Sequence, residues 1–412
     1  VPNPPQILGG KITLTSYRVV IARCPDYDPD NLTVAVNKLF AELAWQAPAA
    51  TGLTAFLKPN LLMARVPDHC VTTHPSLLAT IGRHLGQMGY RIVIGDSPGG
   101  PFTPSALRRV YETTAMTVAA AECGGELSFD TSSREVAGRD LPSPRNFLFT
   151  TAALDNDLLV NVCKLKTHGL TGVTAAAKNL FGCVPGLEKT KFHMNQPSVE
   201  SFSDAMADIA RTLAPKISIC DAVLAMEGAG PSHGRPKHMG LVMASTDPFA
   251  LDYAIARLLG VGPDGFTTLA AALRRGYGPQ TDDQLEVVLV DGADRTQATG
   301  RAAATLLRSL RPAEFELLPP ENLSGLQGRG AIKTILRAIQ PWLRSQPRFS
   351  RAKCTKCGTC LRSCPAKALR MGDGKPVVDL DACIRCYCCQ ELCPEGAVEI
   401  YRTPLHRLLY GR

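Results

Sequence analysis

The chain has 412 residues, 45% of them hydrophobic and 20% charged, which suits two or three ordinary globular domains. Forty-five Lys and Arg against 37 Asp and Glu leave a formal charge of +8, yet the basic residues are dispersed and no basic stripe interleaved with aromatics occurs, which argues against nucleic-acid binding. No run approaches transmembrane length, and Val1-Pro-Asn-Pro-Pro lacks the charged-then-apolar layout of a secretion signal, so a reducing cytoplasm without membrane association is expected.

Residues 1–320 read as alternating strands and helices. Leu53–Leu57 is an apolar run ending at Lys58-Pro-Asn-Leu. Thr72-Thr-His-Pro-Ser opens a helix with Pro75 near its first position; Leu77, Leu78, Ile81, Leu85 and Met88 keep helical spacing and Gly89 stops it. Arg91–Gly95 is a strand ending at Asp96-Ser-Pro-Gly-Gly, and Leu158–Val162 is another, leading into Lys164-Leu-Lys-Thr-His. Ser198 caps a helix patterned by Val199, Phe202, Met206, Ile209 and Leu213. Lys216–Cys220 is a strand ending at Asp221, Gly240–Ala244 a further one, Asp247-Pro begins a helix through Leu259, and Leu285–Val290 closes the series. This order predicts an α/β region with a largely parallel sheet, helices on both faces and two lobes.

In such sheets ligands bind beyond the carboxyl ends of the strands. Lys58 and Asn60, Asp96 and Ser97, Lys164, Lys166 and His168, and Asp221 all fall at predicted strand ends, so a cleft lined by them is expected. Lys164, Lys166 and Lys178, the last followed by Asn179 in a glycine-rich setting, suggest a site for a carboxylate or phosphate. Glu227-Gly-Ala-Gly-Pro-Ser-His-Gly234 is a second glycine-rich loop, in which Gly228 and Gly230 permit close backbone approach and Glu227 or His233 could move protons. His168 could serve as acid, base or metal ligand, although a lone histidine is more often structural. No GK[ST] phosphate loop or dinucleotide fingerprint is present.

Residues 321–350 change character: Gly325-Leu-Gln-Gly-Arg-Gly leads into Ala331–Leu343, a basic amphipathic stretch with Trp342, read as a linker and docking helix. Residues 351–402 then carry two cysteine runs of identical spacing, Cys354-x2-Cys357-x2-Cys360-x3-Cys364-Pro and Cys383-x2-Cys386-x2-Cys389-x3-Cys393-Pro, before a tail at 403–412. Three thiolates of each run can surround one cubane while the fourth reaches the other. The spacing thus assigns Cys354, Cys357, Cys360 and Cys393 to one [4Fe–4S] cluster, and Cys383, Cys386, Cys389 and Cys364 to a second. Zinc would not call for a third cysteine and a Cys-Pro ending in both runs, and a disulfide framework suits neither the size nor the expected compartment. Cys388 falls outside the pattern and reads as a small residue beside the second cluster.

The segment resembles the two-cluster bacterial ferredoxins throughout. Six ordered motifs, Lys58-Pro-Asn-Leu, Gly95-Asp-Ser-Pro-Gly, Lys164-Leu-Lys-Thr-His, Lys178-Asn-Leu-Phe-Gly, Glu227-Gly-Ala-Gly-Pro and Ser245-Thr-Asp-Pro, make residues 15–295 resemble the domain of unknown function 362 family, with Cys163 where proline is expected. That resemblance implies an iron–sulfur protein of anaerobic metabolism. A more distant similarity, in layout and in the Thr-His-Pro helix start, is to the nickel-pincer lactate racemase group, and it implies a cleft lined by His74, His168 and the lysines.

Three functions stay open. One is an oxidoreductase fed by a redox partner protein, with an anionic small molecule held by Lys164, Lys166 and Lys178 and protonated by His168, Asp96 or Glu227. The second is an electron carrier or metallocofactor maturation protein with a docking α/β domain. The third is a redox-neutral isomerase or racemase with structural clusters.

Overall fold

The computed structural model describes residues 16–318 and 345–404, apart from 44, 49, 51, 187, 197, 263 and 264, together with two short strands at 7–8 and 11–12. The basic helix expected at 331–343 and most of the tail lie outside the described residues.

Ten strands form one sheet: β1 (Tyr17–Arg23), β2 (Thr54–Pro59), β3 (Arg91–Ile94), β4 (Glu126–Leu127), β5 (Leu158–His168), β6 (Gly172–Thr174), β7 (Ile217–Glu227), β8 (Arg235–Ser245), β9 (Leu285–Asp291) and β10 (Asp294–Thr299). Their order is β10-β9-β1-β8-β7-β5-β2-β3-β4, with β6 paired to β5. The pairs β9/β1, β7/β5, β5/β2, β2/β3 and β3/β4 are parallel. β8 runs against both β1 and β7, while β6 and β10 fold back on β5 and β9. The sheet is therefore mixed and mostly parallel, and the two lobes suggested by the sequence share this one continuous sheet.

Strand alternation divides the core between two faces. Val20, Ala22, Val160 and Val162 pack with Leu32, Val36, Leu77, Ile81 and Leu85 of the helices at 29–42 and 75–87. Val19, Ile21, Cys163 and Leu165 face the helix at 248–259 through Leu251, Ile255 and Leu258. Phe56 and Leu159 meet Phe202, Met206 and Ile209 of the helix at 199–213. Helix starts follow local chemistry. Pro75 follows the N-cap His74, Ser198 makes a capping box with Ser201, and Asp247 accepts from the Phe249 and Ala250 amides.

Two strands run further than their apolar cores suggest. β5 continues past Val162 through Lys164, Lys166 and His168, all buried, and β7 continues past Asp221 to Glu227. Asp221 thus lies within a strand, not at its end. Its pairing is why: Asp221 sits directly beside Lys164 in the parallel ladder, and the register then slips between Asp221 and Met226, so the strand absorbs a bulge at the charged pair.

The C-terminal module is small. Gln346–Phe349 pairs antiparallel with Val398–Tyr401, and Leu369–Met371 with Pro376–Val378, around short helices at 359–362 and 388–391. It packs on the α/β region at the carboxyl edge of the parallel strands. Tyr387 is buried with the Phe181 and Phe202 cluster, Gln390 Nε2 donates to the Ala229 carbonyl at 3.2 Å, and Arg65 donates to the Pro394 carbonyl. Glycines permit the approach: a Cβ on Gly99 would lie 2.5 Å from Leu392, and one on Gly169 2.5 Å from Ile400.

Candidate functional site

A cavity with about 810 Å³ of empty space, including its open mouth, lies between this module and the strand ends. β2 and the turn after it supply Asn60, the turn after β3 supplies Asp96 and Ser97, and β5 supplies Lys166 and His168. The short helix after β6 supplies Lys178 and Asn179, the helix at 188–195 supplies Lys189 and His193, and the module closes the site with Cys388, Glu391 and Leu392.

The period of two along β5 puts Lys164, Lys166 and His168 on one face, but they meet different surroundings. Lys164 is closed off: its ammonium lies 2.9 Å from Asp221 and 2.8 Å from the Tyr27 hydroxyl. That hydroxyl donates to Asp221 at 2.7 Å, and the His74 amide donates to the same carboxylate at 2.9 Å. Tyr27 also stacks on His74 with centroids 3.6 Å apart. Lys164, Asp221 and His74 therefore form a buried polar knot outside the cavity, because β7 places a carboxylate next to Lys164 in register. They do not line the cleft as the sequence predicts.

Lys166 has no carboxylate beside it. It donates to Asn60 Oδ1 at 2.8 Å and to the Val71 carbonyl at 2.6 Å, and burial followed by the nearby Lys178 charge lowers its pKa to about 7. Lys178 makes no hydrogen bond or ion pair among the described residues, and burial lowers its pKa as well. Lys189 donates to Ser97 Oγ at 3.1 Å and to the Ser97 carbonyl. Burial and then the opposing effects of Asp96 and Lys58 leave it at about 7.

His168 Nδ1 accepts from the Leu170 and Thr171 amides at 3.0 and 3.3 Å, which assigns the ring proton to Nε2. Nε2 lies 2.9 Å from Glu391 of the module, without the alignment of a hydrogen bond. Burial lowers His168 to about 4, and His193 likewise. Burial alone would raise Glu391, but the neighbouring His168, Lys178 and His193 bring it down to about 2. At neutral pH the carboxylate is charged and both imidazoles are neutral.

Asp96 borders the cavity with its acceptors taken. It pairs with Lys58 at 2.7 Å and accepts from the Leu61 and Ser97 amides at 2.8 and 2.9 Å, so it anchors the turn and holds Lys58 behind it, where Lys58 also donates to the Pro59 carbonyl. Asn60 and Asn179 are joined at 2.8 Å. Glu227, read from the sequence as a proton carrier, is instead engaged away from the cavity by the Glu316 amide at 2.8 Å and by Arg235 at 3.4 Å. Gly228 accepts from the Thr167 hydroxyl, and a Cβ on Gly230 would run into the Thr167 carbonyl. That loop therefore packs the end of β5; only its Pro231 reaches the cleft. His233 lies against Gly396 of the module, bonded to Ser232.

Lys189, His193 and Glu391 were not singled out from the sequence, yet two signals were available. Lys189 and His193 are four apart on a helix and so share a face. Where the two cysteine runs should match, Thr359-Cys-Leu-Arg-Ser363 is answered by Cys388-Cys-Gln-Glu-Leu392, and of the differing residues Cys388, Glu391 and Leu392 meet the cleft.

In the module, one small cavity is lined by Cys354, Cys357, Cys360 and Cys393, and another by Cys364, Cys383, Cys386 and Cys389. Backbone amides of Ala368 and Ala397 donate to Cys364 Sγ and Cys393 Sγ at 3.3 and 3.2 Å, as thiolates held on a cluster require. Among the described residues, no three Cys, His, Asp or Glu side chains converge as a single metal ion would need. The donor set, four cysteines around each small cavity, fits iron–sulfur clusters.

These features define an iron–sulfur α/β protein with electron-transfer capacity, its cluster module docked on the sheet. Residues 346–394 match the 4Fe-4S dicluster domain, and residues 56–257 match the domain of unknown function DUF362. A thylakoid-associated protein of Synechocystis sp. is 31% identical over 271 residues, covering 63% of this chain and 80% of that protein. The chain belongs to the DUF362 family. An uncharacterized ferredoxin of Methanocaldococcus jannaschii is 38% identical over 56 residues, 13% of this chain and 37% of its own length. The lactate racemase apoprotein of Thermoanaerobacterium thermosaccharolyticum aligns at a TM-score of 0.33 and 13% identity, covering 55% of this chain and 54% of that one, too weak a likeness to carry chemistry across. Among the described residues no helix is long and apolar enough to cross a membrane.

Proposed function

We propose that the protein is an oxidoreductase that reduces an anionic small molecule in the cleft. The observation that carries this reading is the composition of the cleft wall: the helix 388–391, which holds Cys389 and follows Cys386, borders the same cavity as Lys166, Lys178 and Lys189. Cys354, Cys357, Cys360 and Cys393 would hold one [4Fe–4S] cluster, and Cys364, Cys383, Cys386 and Cys389 the other. When bound, these clusters supply single electrons, so reduction of one organic bond takes two of them and two protons, the electrons originating in a reduced redox partner protein.

The lysines bind and orient the anion. Lys166, with a pKa of about 7 and a place on the cavity wall, is matched to proton donation near neutral pH, better than the neutral His168 or the fully engaged Asp96. His168 and Glu391 fix the module against the cleft and keep water from the seam. The test is anaerobic reoxidation of the dithionite-reduced protein by a panel of small carboxylates and phosphorylated metabolites. Reoxidation by a member of the panel, lost in Lys178→Ala, is expected. Reoxidation by redox proteins alone would make the protein a carrier, and turnover surviving loss of the clusters would make it an isomerase.

A further inference from the structure

We infer that the cleft is built for a ligand with two negative charges, a dicarboxylate or a phosphate monoester; this rests on the reading of the cleft as the substrate site. The argument is a charge count over the groups that border it. Lys166, Lys178 and Lys189 supply three ammonium groups, Asp96 and Glu391 two carboxylates. Asp96 is neutralised by Lys58 at 2.7 Å, and His168 and His193 are uncharged at neutral pH. With all three lysines protonated, the state an anion would favour, they face one carboxylate, a surplus of two positive charges among the side chains that border the cavity.

The hydrogen bonds agree. Elsewhere in this fold a buried lysine is given its own acid: Lys58 has Asp96 and Lys164 has Asp221. The lysines of the cleft are not. Lys166 and Lys189 reach only neutral oxygens, and Lys178 reaches none among the described residues. Ammonium groups gathered without counter-charge repel one another: burial lowers all three pKa values, and the Lys178 charge adds to the lowering at Lys166 and Lys189. A dianion restores the balance and draws protons onto the lysines as it binds. A nucleotide is disfavoured, because no glycine-rich phosphate loop is present and Phe181 is the sole aromatic on the described wall apart from the two histidines.

The experiment is calorimetric titration of the anaerobically reconstituted protein, clusters oxidised, with succinate, glutarate and glycerol phosphate against butyrate and monomethyl succinate. Dianions should bind roughly tenfold or more tightly than their monoanionic counterparts, with net proton uptake in buffers of different ionisation enthalpy and affinity falling as pH rises above 7. Lys178→Met and, separately, Lys189→Met should erase the preference while cluster absorbance and thermal midpoint stay unchanged. The dicarboxylate and phosphate arms tell the two sources apart. Equal binding of both charge classes, binding without proton uptake, or no binding by any probe overturns the inference. Tight dianion binding without cluster reoxidation would sink the oxidoreductase reading and leave this one standing, while reoxidation by a monoanion would do the reverse.

Discussion

The cluster module gathers its eight patterned thiols from two short runs, whereas the cleft assembles its groups from separate segments between Asn60 and Glu391. The first arrangement is local: three residues of each run, in a fixed spacing, turn their sulfurs toward one volume and the fourth reaches the neighbouring one. The second exists only after β2, β3 and β5 lie side by side and the module has settled on their ends. Ligand geometry can therefore be written into spacing, while an anion site built across a sheet is written into topology.

Disturbing the local side should have the largest effect. Cys386→Ala or Cys389→Ala is expected to remove roughly half the iron and sulfide and to abolish substrate-dependent reoxidation, as read by iron analysis and anaerobic turnover. Retention of full iron content would break the assignment of those thiols.

Next comes the contrast between Lys164 of β5 and Lys178 of the short helix after β6. Lys164→Ala leaves Asp221 buried without its cation and should destabilise the protein by about 3–5 kcal/mol, read as a lowered denaturation midpoint. Lys178→Ala should leave that midpoint nearly unchanged but lower substrate-dependent reoxidation by about 100-fold, the loss expected of a charged contact in a water-poor site. If the two phenotypes were exchanged, the division between polar knot and cleft would be wrong.

The smallest effect is on pH dependence. His74 and His193 have pKa values lowered to about 4, chiefly by burial, against an ordinary 6.5. Between about pH 6.5 and 4 the unfolded chain binds the extra protons, so stability must fall as the medium is acidified through that window. Anaerobic urea midpoints at pH 7 and pH 5 check the sign, and His74→Gln should flatten the dependence.

Much of the sheet was legible because apolar runs and helix caps are local signals: Ser198, Asp247 and Pro75 stand where their helices start. The extension of β5 through Lys164, Lys166 and His168 was less legible, because charged residues in a strand make sense only once their partners are known. Lys164 reads as a ligand group in the sequence because its partners Asp221 and Tyr27 are distant along the chain, and so does Glu227 because the Glu316 amide is. Lys189 and His193 carried a helical i,i+4 signal, but nothing local said which way that helix faced.

From its residues alone the chain determined the cluster-binding module, the α/β class and the presence of a basic, glycine-rich stretch around Lys178. Only the tertiary structure decided which lysines remain without counter-charge and that the second cysteine run, through Cys388 and Glu391, closes the cleft. The reason is physical: thiolate spacing is a property of a few consecutive residues, while the charge balance of a buried site depends on every group that folding brings within a few ångströms.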